Sequence, residues 1–136
     1  MDETQKAMLT AVSGLQAQAD RLRVIAENMA NADSLPTGPS QLPYRRKVLT
    51  FRTVLDGQTG AELVKVDKVG VDNSPFHKKY EPGHPAADAA GYVLAPNVNP
   101  LIEVMDMREA QRSYQANLDV VTVARSLRST TVNLLR

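Results

Sequence analysis

The stretch "AVSGLQAQADRLRVIAENMANAD", Ala11 to Asp33, decides the fold. Taken with Met8 upstream, its apolar residues fall at Met8, Val12, Leu15, Ala19, Leu22, Ala26 and Met29, in alternating steps of four and three. That is a 3.5-residue period held over three heptads, the pattern of a long helix with a continuous seam. Ala11 and Ile25 widen the stripe. Asp2, with Gln5 three residues on, reads as a capping box. Only Gly14 interrupts, at about 1 kcal/mol against alanine. The spacing predicts one helix over residues 2–33. It ends before "SLPTGPSQLP", a run of three prolines and a glycine that cannot continue it. Two asparagines, Asn28 and Asn31, sit in the last turns although Asn is a poor helix former. Asn31 suits a helix terminus. Asn28 lies one turn earlier, beside the stripe.

A second helix is predicted over residues 100–135. Asn99 can cap it and Pro100 suits its first position. Glu103 and Asp106 sit near its positive end. Its stripe runs through Val104, Met107, Ala110, Tyr114 and Leu118, then shifts face to Val120, Val123, Leu127 and Leu134.

Between the helices the chain changes character. "YRRKVLTFRTVL" (Tyr44–Leu55) and "AELVKVDKVGV" (Ala61–Val71) are rich in β-branched residues, and "DGQTG" between them is good hairpin chemistry. "GYVLA" (Gly91–Ala95) reads as a third short strand. The expected organisation is therefore an N-terminal helix (1–33), a loop with a small β-rich domain (34–99), and a C-terminal helix (100–136).

A compact chain of 136 residues spans roughly 37 Å as a sphere. Helices of about 32 and 36 residues reach about 48 and 54 Å at ~1.5 Å per residue. They overrun a sphere. The fold class expected is mainly α with a small β-rich insertion: an elongated, coiled-coil-like antiparallel hairpin of the two terminal helices. Such a hairpin leaves apolar stripe uncovered, and that surface calls for partners.

Composition excludes several function classes. Sixteen basic and fifteen acidic residues give a net charge of +1, too balanced for a nucleic-acid scaffold held by bulk electrostatics. There is no cysteine, hence no disulfide, thiolate nucleophile or Cys-ligated zinc. No apolar run approaches the ~20 residues that span a bilayer. The start, "MDETQKAM", lacks a basic region followed by an apolar one, so no cleavable secretory signal is expected.

Candidate chemistry is sparse. His84, with Glu81 and Asp88, has the residue types of a hard-metal or acid–base cluster, but on a Pro/Gly-rich loop that fixes no geometry. A loop-structural role is the stronger reading. "RRK" at Arg45–Lys47 reads as a solvated strand face or an electrostatic contact to a protein partner. Nucleic acid is the weaker alternative, since no stacking platform or reading helix accompanies it. There is no P-loop, dinucleotide fingerprint or nucleophile elbow. No catalytic residue, cofactor or metal is expected.

The quoted N-terminal stretch resembles the signature of bacterial flagellar axial proteins, the rod, hook and related subunits. The match falls on Ser13, Gly14, Leu15, Ala17, Arg21, Leu22, Ala26, Asn28, Ala30 and Asn31. "NVNPLIEVMDMREAQRSYQANLDVV" looks like the closing motif of that family, through Arg112, Tyr114, Gln115, Ala116 and Asn117. The run from Tyr80 to Asn99, "YEPGHPAADAAGYVLAPNVN", is similar to the segment typical of one proximal-rod class within it. The chain departs from the family pattern after Asp33, where a Thr-x-Gly-Tyr-type turn is replaced by "SLPTGPSQLPY".

The resemblance implies a structural subunit of the proximal rod, in the flagellar basal body where the rod crosses the periplasm. Its terminal helices would line a hollow tube that transmits torque and serves as export channel. Its partners would be other rod subunits, copies of itself, and the flagellar type III export apparatus during secretion. The assembly residues expected on this reading are Met8, Val12, Leu15, Leu22, Ile25, Asn28, Met29 and Asn31, with Tyr114, Asn117, Leu118, Val121, Leu127 and Leu134. Asn28 would fix register where the helix meets the β-rich part or a neighbouring subunit. The competing class is a non-polymerising helical-hairpin adaptor, a chaperone-like binding module marked by reversible one-to-one binding. An enzyme ranks below both and would show as turnover dependent on His84.

Overall fold

Six elements follow one another in the computed structural model, which describes residues 2–136: α1 (Glu3–Ala30), β1 (Lys47–Leu55), β2 (Glu62–Val71), β3 (His77–Tyr80), β4 (Tyr92–Ala95) and α2 (Pro100–Leu134). Met1, the first residue of the expected N-terminal segment, lies outside the described residues. Two long helices, N- and C-terminal, thus flank a small region of two sheets, the coarse class that the periodicity predicts.

Local chemistry sets the helix ends. The Gln5 amide donates to Asp2 Oδ1 at 2.7 Å, so Asp2 is the N-cap and α1 begins at Glu3. At the other end Asn31 Nδ2 donates to the Glu27 carbonyl at 2.8 Å, and residues 31–33 form turns. The helix therefore stops three residues short of the expected limit. The Leu101 amide donates to Asn99 Oδ1 at 3.1 Å, which makes Asn99 the cap of α2 and Pro100 its first residue.

β1 and β2 form one two-stranded sheet. The Asp56 amide bonds the Ala61 carbonyl at one end of the hairpin and the Asp72 amide bonds the Arg46 carbonyl at the other, both at 2.8 Å. β3 and β4 form the second sheet, antiparallel, with His77 opposite Ala95, Lys79 opposite Val93 and Tyr80 opposite Tyr92. "GYVLA" is the expected third strand in this pair. Its partner, "HKKY", is not legible as a strand, because four polar or half-polar residues carry no alternation.

The chain divides into two compact units. The first holds α1 through Leu22, Leu49–Lys68 and Met107–Arg136. Its buried side chains are small: Ala11, Ala17, Ala61, Ala110 and Ala124, with Gly14 also buried. Thr10 Oγ1 donates to the Glu62 carbonyl at 2.8 Å, and Ser13 Oγ accepts from the Val64 amide at 3.0 Å. These bonds tie one side of α1 to β2. Arg21 and Glu109 lie 3.5 Å apart.

The second unit holds Arg23–Val48 and Val69–Asp106. Its buried set mixes apolar groups with polar ones: Val24, Ile25, Ala86, Val93 and Val98, but also Asn28, Asn97 and Glu103. Buried polar groups are expensive unless hydrogen-bonded, and their bonds define this unit.

Along α1 the buried positions are Ala11, Gly14, Ala17, Val24, Ile25 and Asn28. They follow a helical face, but not the heptad of large residues. At 100° per residue the two stripes lie roughly a third of a turn apart. Small side chains let backbones approach closely, so they occupy the inner face. The larger stripe is left half-covered or exposed.

Candidate functional site

Asn28 and Lys47 meet in the second unit through a two-way pair of hydrogen bonds. Asn28 Nδ2 donates to the Lys47 carbonyl at 2.9 Å, and the Lys47 amide donates to Asn28 Oδ1 at 2.9 Å. The side-chain amide thus imitates a neighbouring strand at the start of β1. Tyr44 Oη adds a third bond to Asn28 Oδ1 at 2.7 Å. Burial, helped by the charges of Glu27 and Glu103 and opposed by Lys47, raises the Tyr44 pKa above the ordinary phenol value. Asn28 itself is 1% exposed.

A second buried asparagine holds the preceding residue. The Arg46 amide donates to Asn97 Oδ1 at 2.7 Å, while Asn97 Nδ2 donates to the carbonyls of Asp72 at 2.8 Å and Ser74 at 3.1 Å. Consecutive amides where the chain enters β1 are therefore claimed by two side-chain amides, one from α1 and one from the loop between β4 and α2. Sequence reasoning missed Asn97. In "APNVNP" its only signal is turn chemistry, which does not distinguish it from Asn99.

Around this point the Arg46 guanidinium meets three carboxylates. Nε bonds Glu103 Oε1, Nη2 lies 3.2 Å from Asp106 Oδ2, and Nη1 lies 3.5 Å from Asp72 Oδ2. Glu103 is fully buried, and its Oε2 has no partner among the described residues. Burial works against the Arg46 charge, but the bond to Glu103 and the pull of the carboxylates outweigh it and raise its pKa. Asp72 is held below the usual carboxylate value, first by the Ser74 hydroxyl and amide and then by Arg46.

These contacts correct the reading of "RRK" as a solvated face or partner contact. Arg45 donates to the Asp72 carbonyl at 3.2 Å and lies 4.2 Å over the Phe76 ring. Lys47 pairs with Glu27 at 3.0 Å. All three cations are used inside the chain. The cause is three-dimensional: their partners lie 20 to 60 residues away in sequence.

His84 Nδ1 accepts from the Ala86 amide at 3.0 Å and so closes a local turn. Among the described residues no three His, Cys, Asp or Glu side chains are grouped to hold a metal ion.

The expected assembly residues are spread over both faces of the helices. Ile25 and Asn28 are buried. Met8, Leu15, Leu22, Met29, Asn31, Tyr114, Asn117 and Val121 are half-buried, and Val12, Leu118, Leu127 and Leu134 are exposed. In the first unit the Asn117 amide stands where a Cβ on Gly14 would come to 2.7 Å of it. There too, Val120, Val123 and Leu127 of α2 and Ala7 of α1 line an open groove of about 440 Å³.

Known proteins resemble this chain along its length. The model for the flagella basal body rod protein matches residues 8–34, and the model for the flagellar basal body rod FlgEFG protein C-terminal region matches 89–134. A flagellar basal-body rod protein FlgC of Agrobacterium fabrum is 52% identical over all 136 residues, covering 98% of that relative. The chain belongs to the FlgC family of flagellar basal-body rod proteins. FlgC of Salmonella typhimurium is 46% identical over 91% of this chain and 92% of its own length, and FlgC of Bacillus subtilis is 34% identical over 86% and 88%. FlgC membership makes the chain a structural subunit of the basal-body rod and not an enzyme. Among the described residues no helix is long and apolar enough to cross a membrane.

Proposed function

We propose that this subunit polymerises with other proximal-rod subunits and with its own copies by burying the apolar stripes of its two long helices. The reading treats those helices as an antiparallel, coiled-coil-like hairpin and residues 34–99 as a loop and small β-rich domain that joins them in sequence. Heterologous head-to-tail contacts then extend a tube rather than close a ring. The tube would transmit torque and leave a channel, and the subunit would reach it through the flagellar export apparatus.

The observation that carries this reading is the exposed apolar run on α2. Val123, Leu127 and Leu134 are 58%, 55% and 80% exposed, although large aliphatic side chains in a run are worth about 1.5–3 kcal/mol each when buried. Met8, Val12, Leu15 and Leu22 on α1, with Leu118 and Val121 on α2, are the remaining contacts assigned to assembly. Half-buried Met29, Asn31, Tyr114 and Asn117 are assigned to assembly with them, and so are Ile25 and Asn28, which are buried within the single chain.

Leu127→Asp tests it. The position is exposed in the single chain, so the variant keeps its fold by circular dichroism. The reading expects it to be missing from isolated basal bodies and its cells to be non-motile. Normal incorporation and motility would refute the helix-face reading.

A further inference from the structure

The turn that joins β1 to β2 carries the one Asp–Gly step of the chain, Asp56–Gly57, and the chain has no Asn–Gly. In such a step the backbone nitrogen can attack the side-chain carboxyl carbon of the Asp before it. Glycine is the follower that hinders this least, because it has no Cβ. Whether the step reacts depends on how the fold holds the two groups.

The nucleophile is free. Gly57 is exposed, and a Cβ built on it would meet nothing within 4 Å. Its amide has no hydrogen-bond partner among the described residues. Other amides of the turn are held. The Gln58 amide donates to Asp56 Oδ1 at 3.3 Å, the Gly60 amide to the Asp56 carbonyl at 2.8 Å, and the Ala61 amide to Thr59 Oγ1 at 3.3 Å. Asn73–Ser74, an exposed step of related chemistry, differs in this respect: its Ser74 amide is bound to Asp72 Oδ1 at 2.8 Å.

The electrophile is guarded. Thr59 Oγ1 donates to Asp56 Oδ2 at 2.6 Å. This bond, helped by the Gln58 amide, holds the Asp56 carboxyl below the ordinary carboxylate value. A carboxylate has no leaving group, whereas the protonated acid can lose water. The hydroxyl of Thr59 therefore keeps the group in its unreactive form and pins it in the turn.

We propose that Asp56 is the site of spontaneous backbone isomerisation in this chain and that Thr59 is the side chain that slows it. The Gly57 nitrogen bonds to Asp56 Cγ, and its proton leaves with the carboxyl hydroxyl as water. The product is a cyclic imide. Water then opens the ring at either carbonyl, returning aspartate or leaving isoaspartate, whose chain runs through Cβ and Cγ. Water is the only co-reactant, and nothing is oxidised or reduced. Isoaspartate takes the Asp56 main-chain carbonyl, the acceptor for the Gly60 amide, out of the backbone. It also lengthens the chain between the bonds that close the hairpin. Gly60, at φ +74° beside Lys6 of α1, and Ala61, 2% exposed, follow directly. Conversion therefore loosens the turn where Lys6 covers it. None of this depends on how the subunit assembles.

The test holds the purified full chain in warm, near-neutral buffer for several weeks. Isoaspartate is read by enzymatic methylation and placed by peptide mapping. It is expected to accumulate at Asp56. Thr59→Val keeps the side-chain outline and removes the hydroxyl, and should raise the rate about threefold, the weight of one exposed hydrogen bond. Thr59→Ser keeps the hydroxyl and should match the wild type. Gly57→Ala has open space and no positive φ to oppose it, and should lose most of the signal. Circular dichroism melts before incubation establish that each variant folds. Isoaspartate absent from position 56 in both wild type and Thr59→Val would overturn the site, as would a signal undiminished in Gly57→Ala. A rate in Thr59→Val equal to wild type, or one in Thr59→Ser as fast as Thr59→Val, would overturn the guarding role.

Discussion

Asn28 on α1 and Lys47 on β1 exchange a donor and an acceptor each, so a helix side chain completes the hydrogen bonding of a strand's first residue. The loop of residues 31–46 could place that strand in many registers. The amide pair admits one, because a shift of one residue would turn the Lys47 groups away and flip every side chain of β1. The two bonds also explain why an asparagine stands inside a helix that would be more stable locally with alanine.

Replacing Asn28 with leucine keeps the branched heavy-atom outline and removes all three bonds. The Lys47 amide and carbonyl and the Tyr44 hydroxyl then lack partners in a partly buried site. The expected loss is about 2–3 kcal/mol, from ~1–3 kcal/mol per stranded group with partial rescue by water. Urea denaturation followed by circular dichroism reads it. A change below ~0.5 kcal/mol would reduce Asn28 to an incidental group.

The Arg46 cluster predicts an asymmetry. Arg46→Met leaves Glu103, Asp106 and Asp72 gathered without a cation, with Glu103 fully buried. Breaking a buried pair in this way costs about 3–5 kcal/mol. Glu103→Gln leaves Arg46 two carboxylates and costs less, about 1 kcal/mol for a weakened hydrogen bond. Comparable losses in the two variants, measured by the same denaturation, would refute the view that Arg46 is the hub. The double variant Arg46→Met with Glu103→Leu should recover part of the loss.

How much of this was legible in the sequence follows from range. Helix caps are local, so Asp2, Asn99 and Pro100 announce both starts within four residues. The β1–β2 hairpin is local too, through "DGQTG". Asn28 is visible as an anomaly, because its residue type conflicts with its helix, and the conflict points to a partner without naming it. Arg46 and Asn97 are different. Each is ordinary in its own segment and acquires meaning only from residues far along the chain. The α1 face shows a further limit. The heptad of larger residues is the stronger signal on the page, but close packing selects the small residues Ala11, Gly14 and Ala17 for burial.

Acid should weaken the fold through Asp72. Its carboxyl is held below the ordinary value by Ser74 and Arg46. A depressed folded pKa contributes stability that is complete above the unfolded value, about 3.9. That contribution is lost as pH falls from there through the folded value. The thermal midpoint should therefore drop below about pH 4, and Asp72→Asn should lower the midpoint at pH 7 while flattening the acid slope. Arg46 works the other way: its raised pKa gives stability that persists up to strongly alkaline pH, so no loss is expected between pH 7 and 9. An acid slope identical in wild type and Asp72→Asn would show that other carboxylates carry it.

Gly14 and Asn117 make the last prediction, inside the first unit. A Cβ on Gly14 would stand 2.7 Å from Asn117 Nδ2 and 2.9 Å from both Cγ and Oδ1. All three amide atoms are too close, so rotating the amide about its own axis clears none of the clash. The side chain must leave, giving up its 3.1 Å bond to the Ser113 carbonyl, or the helices must part. Gly14→Ala is therefore expected to destabilise by about 1–3 kcal/mol, the usual range for overpacking. That outweighs the ~1 kcal/mol that alanine adds to helix propensity. Asn117→Ala on its own should cost little, since the Ser113 carbonyl keeps its helical bond. Combined with Gly14→Ala it should restore stability to at least the wild-type value, because the added methyl then meets space instead of an amide. A double variant no more stable than Gly14→Ala alone would mean that backbone, and not Asn117, sets the approach of the two helices.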